Sequence, residues 1–455
     1  MKRVPFLLLF GLLALITSCR KNPDQYKKAA SNAESIREAE QKLTEVIIHD
    51  IFSPPVASRI YAYSSLAAYE AMLPGAPLHR TLAGQLNGFK VGPQPESGQE
   101  YCYPLASVRA FLTVGRTLTF SADRFDAFEA TFYKQYQEAG VPSDVFDRSM
   151  AYGEAIGKHI LAYSGKDNYK QLRGFKHTVT NETGTWVPTP PAYMDAVEPL
   201  WRNIRPFTLD SAAQFMPIRP PAFSLVKDSL FYREMLEVYE VGKNLTDEQS
   251  EIANFWDCNP FKMNVQGHAM FATKKMSPGG HWMSIVGIAS RKAKSDFAHT
   301  VEAYTLTSLA LFDGFIACWD EKYRSVQIRP ETVINASLDK DWQPLLQTPP
   351  FPEYTSGHSV ISTAASLALT QLFGKNFSFD DSSEVSYGLP VRKFPSFQAA
   401  AQEAAISRFY GGIHYRSAIE EGAKQGQKVG EWVISQVHTR KNEAPKTVVS
   451  VVKNL

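Results

Sequence analysis

Apolar residues along this chain recur mostly at three- and four-residue spacing, and strict alternation is rare. That pattern predicts helices over most of the length. The first begins near Glu34. The next, Ile60 to Met72 (IYAYSSLAAYEAM), follows Pro54-Pro55, a fitting helix entry. Further helical stretches are expected at Leu105–Leu118, Ala122–Ala139, Val145–Tyr163, Ser229–Val241 and Thr246–Trp256. Between Gly165 and Lys227 the periodicity fades into VPTPPAYMDAVEPLW and PIRPPAF, which reads as a long ordered loop covering a site.

The C-terminal half is more regular. Ala298 to Arg329 reads as one long helix stopped by Pro330. Ser359 to Phe373 follows, entered through Thr355 or Ser356 as N-cap and ended by Gly374. Lys393 to Arg408 is next, Gly411-Gly412 breaks it, and His414 to Val437 resumes. The fold class expected is all-α, a helical bundle. No stretch after the N-terminus reaches the roughly 18 unbroken apolar residues of a membrane span, so the body reads as soluble.

The N-terminus differs. MKRVPFLLLFGLLALITSC has two cations, an apolar run from Phe6 to Ile16, then small residues, the form of a secretory signal. Leu15 to Cys19 resembles a bacterial lipobox, which implies cleavage before Cys19 and lipidation of that residue. The expected organisation is a signal at 1–18, a polar tether at 19–33, an N-terminal helical region at 34–245 with its loop excursion, a helical core at 246–440 and a tail at 441–455. The expected location is the cell envelope, reached by export, with contact to the membrane through the lipid alone.

With 455 residues, 44% of them hydrophobic, the chain can bury a large core. The formal charge is +2, and removing a leader that carries Lys2 and Arg3 leaves it near zero. Such a balance gives no reason to expect a nucleic-acid partner. Cys102, Cys258 and Cys318 lie far apart without zinc-like spacing and read as scattered buried thiols.

Chemistry concentrates in three short stretches. In KYRSVQIRP, Lys322 and Arg329 are seven apart, about two helical turns, so a continued helix would put both on one face. In FPEYTSGHSV, Ser356-Gly357-His358 opens a helix whose free N–H groups suit an anion. In SRFYGGIHYRS, Arg408 ends one helix and His414 starts the next. Each stretch alone is compatible with solvated cations or a plain turn. Together they offer three cations, a hydroxyl, backbone donors and two imidazoles. Three converging cations are costly to bury without an anion. A tetrahedral oxyanion matches that donor set.

The order Lys322-x6-Arg329-Pro330, Thr355-Ser356-Gly357-His358, Ser407-Arg408-x5-His414 resembles the three-part signature of the type 2 phosphatidic acid phosphatase and vanadium-dependent haloperoxidase superfamily. Phe255-Trp256, the stretch Ser277 to Trp282, and SPPVASRIYAYSSLAAYEAM resemble haloperoxidase-type members. The resemblance implies that Lys322, Arg329 and Arg408 hold the oxygens of vanadate or phosphate, with Ser356 and Gly357 adding hydrogen bonds. It implies His414 as the apical ligand of vanadium, or as the nucleophile of a phosphatase, and His358 as the acid/base. Phe351, in the FPxYxSGH context of chloroperoxidase-like members, is the halide-pocket candidate that the resemblance implies. Hydrogen peroxide and halide, or a phosphate ester, are the implied substrates.

Two positions depart from the pattern. Thr355 stands where proline is common. Ala418 stands where an aspartate usually follows the third-motif histidine by four residues, and Glu420 and Glu421 lie off the same helical direction. The expected function is a vanadate-dependent haloperoxidase that oxidises halide with hydrogen peroxide, with a phosphohistidine acid phosphatase and a non-catalytic oxyanion-binding lipoprotein as the alternatives. His268 and His281 read as packing residues.

Overall fold

The computed structural model describes residues 23–266 and 268–441. The signal, Cys19 and the tail beyond 441 therefore lie outside the described residues. Among the described residues fifteen α-helices follow in order: α1 (Pro23–Ala30), α2 (Glu34–His49), α3 (Pro54–Met72), α4 (Tyr103–Leu118), α5 (Asp126–Glu138), α6 (Ser143–Ser164), α7 (Tyr169–Leu172), α8 (Leu230–Lys243), α9 (Asp247–Phe255), α10 (Pro278–Lys292), α11 (Phe297–Ser325), α12 (Pro330–Ser337), α13 (Gly357–Phe373), α14 (Phe397–Tyr410) and α15 (Arg416–Gln436). Two antiparallel hairpins interrupt them, β1 (Met263–Gln266) with β2 (Ala269–Ala272), and β3 (Phe379–Asp381) with β4 (Arg392–Phe394). The all-α expectation holds, and the long segment between α6 and α8 is mostly irregular, as its fading periodicity predicts.

The expected tether at 19–33 is overturned where it is described. Residues 23–30 form α1, and Tyr26 is buried, its hydroxyl donating to Glu100 Oε1 at 2.5 Å. An aromatic ring with an apolar slot and a hydrogen-bond partner gains more by docking than the polar composition around it suggests.

Helix α11 is the axle of the molecule. It is long and apolar enough to cross a membrane, but its apolar window is wholly buried among other helices. On one side it meets α3, where Thr305 Oγ1 donates to the Ser65 carbonyl at 3.0 Å. On the other it meets α13, itself packed on α15. A seam of glycines sets that last approach: a Cβ on Gly426 would come within 2.1 Å of the Val360 carbonyl oxygen, and one on Gly422 within 3.0 Å of the Ser356 carbonyl oxygen. One hydrophobic cluster runs from Tyr26 to Val437, so the N- and C-terminal helical regions share a core.

Candidate functional site

The long helix stops before Arg329. Val326 takes a left-handed conformation (φ 49°), and its N–H bonds back to the Lys322 carbonyl. Arg329 is extended (ψ 151°) as the residue preceding α12. The expected single helix face carrying Lys322 and Arg329 is therefore wrong. Pro330 disfavours helical backbone at its predecessor, and the chain turns several residues early. Lys322 and Arg329 still meet in one buried site, brought there by the turn.

The remaining groups come from two helix junctions. Ser356 caps α13, accepting from the Ser359 N–H, while Gly357 and His358 form the first turn. Thr355 is not the cap: its hydroxyl donates to Gln425 Oε1 at 2.8 Å. Arg408 lies in the last turn of α14, and His414 lies in the connection to α15. All seven expected anion-site residues thus gather at one place.

Burial sets the electrostatics. Lys322 and Arg329 are wholly buried and Arg408 is 2% exposed. Desolvation lowers all three: Lys322 falls from 10.5 to about 8, Arg329 from 12.5 to about 10, and Arg408 below its ordinary value. The Lys322 ammonium donates to the carbonyls of Pro352, Glu353 and Thr355 at 3.0, 3.0 and 2.5 Å. Arg329 donates to the carbonyls of Phe351 and Ile413 and leaves Nη2 without a partner. Arg408 donates to the Trp256 carbonyl at 2.6 Å and leaves Nε without one.

Both histidines are held neutral. Burial comes first, then Arg329 for His414 and Arg408 for His358, and each pKa drops well below the usual imidazole range. His358 Nε2 lies 3.0 Å from the Trp256 carbonyl, so Nε2 carries the hydrogen and Nδ1 is the acceptor nitrogen.

The orienting carboxylate that Ala418 lacks is supplied from elsewhere. Glu353 Oε1 accepts from His414 Nδ1–H at 2.8 Å and from the Tyr415 N–H at 2.9 Å. This fixes the tautomer of His414 and leaves its Nε2 lone pair on the site side, 3.2 Å from Arg329 Nη1. Neither Glu420 nor Glu421 is used; Glu421 pairs with Lys424. Ala418 itself is wholly buried, and its carbonyl accepts from the Ser356 N–H at 3.0 Å.

Gly357, His358, Arg408 and His414 line a cleft whose wall also includes Trp319, Phe351, Phe261 and Pro349. Phe351 packs tilted against Trp319, with ring centroids 5.0 Å apart and planes 52° apart, and lies under both Lys322 and Arg329, each 5.1 Å from its ring centre. Phe351 thus lines the same cleft as His358, Arg408 and His414. A tetrahedral oxyanion fits this donor set. Two guanidinium N–H positions are buried and unpaired, a helix start opens onto the cleft, and Gly357 carries no side chain over it.

A model of the VCPO second helical-bundle domain matches residues 302–443. A solved bacterial vanadium-dependent iodoperoxidase is 51% identical, with 90% of this chain and 98% of that chain covered at a TM-score of 0.85. The chain belongs to the vanadium-dependent haloperoxidases. Two further structures share the fold. An apo-type bacterial vanadium-dependent chloroperoxidase is 16% identical, covering 84% of this haloperoxidase and 94% of its own chain at a TM-score of 0.63. A holo-type one is 18% identical, covering 90% and 96% at 0.62. No curated protein matches the chain. Vanadate is the cofactor of this haloperoxidase, and hydrogen peroxide and halide are its substrates.

Sequence reasoning missed three contributors. Glu353 was inside a quoted stretch but reaches His414 through space, not along a helix. The Trp256 carbonyl, which accepts from both Arg408 and His358, carries no side-chain signal. Asp257, 3.9 Å from Arg408, lies outside the three motif stretches. The three cysteines are buried free thiols, as expected.

Proposed function

We propose that this haloperoxidase oxidises iodide, with Lys322, Arg329, Arg408, Ser356 and Gly357 holding the vanadate oxygens and His414 Nε2 facing the metal. The observation that carries the assignment is the lone pair of His414, presented by Glu353 into a pocket of three buried cations. Bound vanadate supplies a Lewis acid that activates peroxide without changing oxidation state. His358 Nδ1, neutral and unencumbered by the Trp256 bond, takes the proton that peroxide gives up on arrival. The cleft wall of Phe351, Trp319 and Phe261 suits a large, polarisable halide. Iodide as the choice is supported by the iodoperoxidase relative.

The same reading places the protein in the cell envelope, exported and held by lipid on Cys19. The leader sequence supports this.

The test is a vanadate titration of the purified protein with two readouts: oxidation of iodide, bromide and chloride by peroxide, and hydrolysis of a phosphate monoester. Vanadate-dependent iodide oxidation, above bromide in kcat/KM, is the expected result. Hydrolysis that vanadate inhibits, without halide oxidation, would overturn it. Fatty-acid labelling lost in Cys19→Ala checks the anchor.

A further inference from the structure

His281 lies outside the anion site and yet sits at the centre of a buried polar knot. It occupies the first turn of α10, wholly buried, with Trp256 stacked on its ring (centroids 4.5 Å apart, planes 18° apart). One edge of the imidazole is fully engaged: Nε2 lies 2.8 Å from Asp381 Oδ2 and 2.8 Å from Ser383 Oγ. At the other edge two further groups converge. Nδ1 lies 3.3 Å from Cys258 Sγ and 3.4 Å from Glu384 Oε1, and Sγ and Oε1 are 4.0 Å apart. Cys258 is 3% exposed and Glu384 5%.

Hydrogen bonds account for two of these approaches, Nδ1 with the Cys258 thiol and, at the long limit for sulfur, the thiol with Glu384 Oε1, but not for Nδ1 with Glu384. Nδ1 has one proton or one lone pair to offer, and a thiol and a carboxylate compete for it. A metal ion needs all three at once. Tetrahedral zinc, with bonds of about 2.3 Å to sulfur and about 2.0–2.2 Å to nitrogen and oxygen, sets its donor atoms about 3.3–3.6 Å apart. Two of the three observed separations fall in or at that range, and the third, at 4.0 Å, lies just outside it. The far edge supplies what a metal-bound histidine requires: its second N–H is directed at the Asp381 carboxylate, which fixes the ring and raises its basicity. A thiolate and a carboxylate neutralise a dication, so the charge of the buried group closes once the thiol proton leaves.

We propose that Cys258, His281 and Glu384 bind one zinc ion next to the vanadate pocket. Three protein ligands come from the loop after α9, from α10 and from the segment after β3, so the ion ties three separate parts of the chain together. The loop it ties carries function. Trp256 gives its carbonyl to Arg408 and His358, and Cys258 and Asn259 line the cleft. The zinc positions that wall and takes no part in the oxidation.

The experiment uses the full chain, without vanadate, dialysed against micromolar free zinc, followed by elemental analysis. In parallel, cobalt(II) replaces zinc and its spectrum is recorded. One zinc per chain is expected, with an intense sulfur-to-cobalt band and the strong visible bands of a tetrahedral site. The sulfur band vanishes in Cys258→Ser and stays in Cys102→Ser. Glu384→Gln weakens zinc affinity by roughly 10–100-fold. No retained metal, bound cobalt without a sulfur band, or a sulfur band that survives Cys258→Ser overturns the proposal. If Cys258→Ser does not fold, the wild-type stoichiometry and spectrum decide with Glu384→Gln.

Discussion

Lys322 makes the anion site sensitive to pH in a window that can be worked from the structure. Its ammonium is wholly buried, and desolvation, with Arg329 adding repulsion, lowers its pKa from 10.5 to about 8. The difference corresponds to ~3 kcal/mol. The sign follows from proton counting. Between about pH 8 and 10.5 the unfolded chain binds the Lys322 proton and the anion-free fold does not, so anion-free stability rises across that window. A bound oxyanion favours the charged ammonium and holds the proton. Vanadate affinity therefore declines once pH passes about 8, by roughly fivefold from pH 8 to 9 and roughly tenfold per unit beyond. The assay is equilibrium dialysis of vanadate against wild type and Lys322→Arg at pH 7, 8, 9 and 9.5. Arginine stays charged throughout, so the ratio of the two affinities cancels vanadate's own titration. Lys322→Gln gives the amplitude: a lost charge-assisted hydrogen bond, about 1.5–3 kcal/mol, weakens binding roughly 10–150-fold at pH 7. Wild type and Lys322→Arg declining in parallel above pH 8 would refute the reasoning.

His414→Ala removes the metal-facing lone pair and abolishes vanadate-dependent halide oxidation; full activity in that variant sinks the assignment. Glu353→Ala leaves two buried donors, His414 Nδ1–H and the Tyr415 N–H, without an acceptor, at about 1–3 kcal/mol each; urea unfolding of the anion-free protein measures the loss. Gly426→Ala drives a methyl into the Val360 carbonyl and costs about 1–3 kcal/mol, seen as a lower Tm. That change also weakens vanadate binding, because α13 carries the anion-facing N-terminus.

Helical spacing made most elements legible, since amphipathic helices announce themselves locally. The site was legible because its cations sit in short fixed-spacing stretches. What failed was anything decided by a turn or by space. Arg329 was read onto a helix that ends at Ser325, although Pro330 already argued for extended backbone at its predecessor. Glu353 was passed over because the search for an orienting acid followed the helix beyond His414. A glutamate wedged between Pro352 and Tyr354 in an apolar stretch was the signal available. The two hairpins are three or four residues per strand, too short to show alternation. His281 was read as packing because its partners lie 23, 100 and 103 positions away in the chain.

The central placement of α11 bears on how this protein can be divided. The matched domain begins at residue 302, inside a helix that starts at Phe297. A fragment cut there would lose the first turn of α11 and the whole of α3, stripping an apolar flank that carries Phe312, whose ring meets Tyr63 of α3. It would also separate Glu302 from His79, which lies 3.4 Å away. All the proposed anion ligands would be present, yet the shaft that aligns them would be bare on one side and prone to self-association. The catalytic half is thus not a free-standing cassette, and transplanting its halide chemistry into another scaffold would require a new partner for that flank.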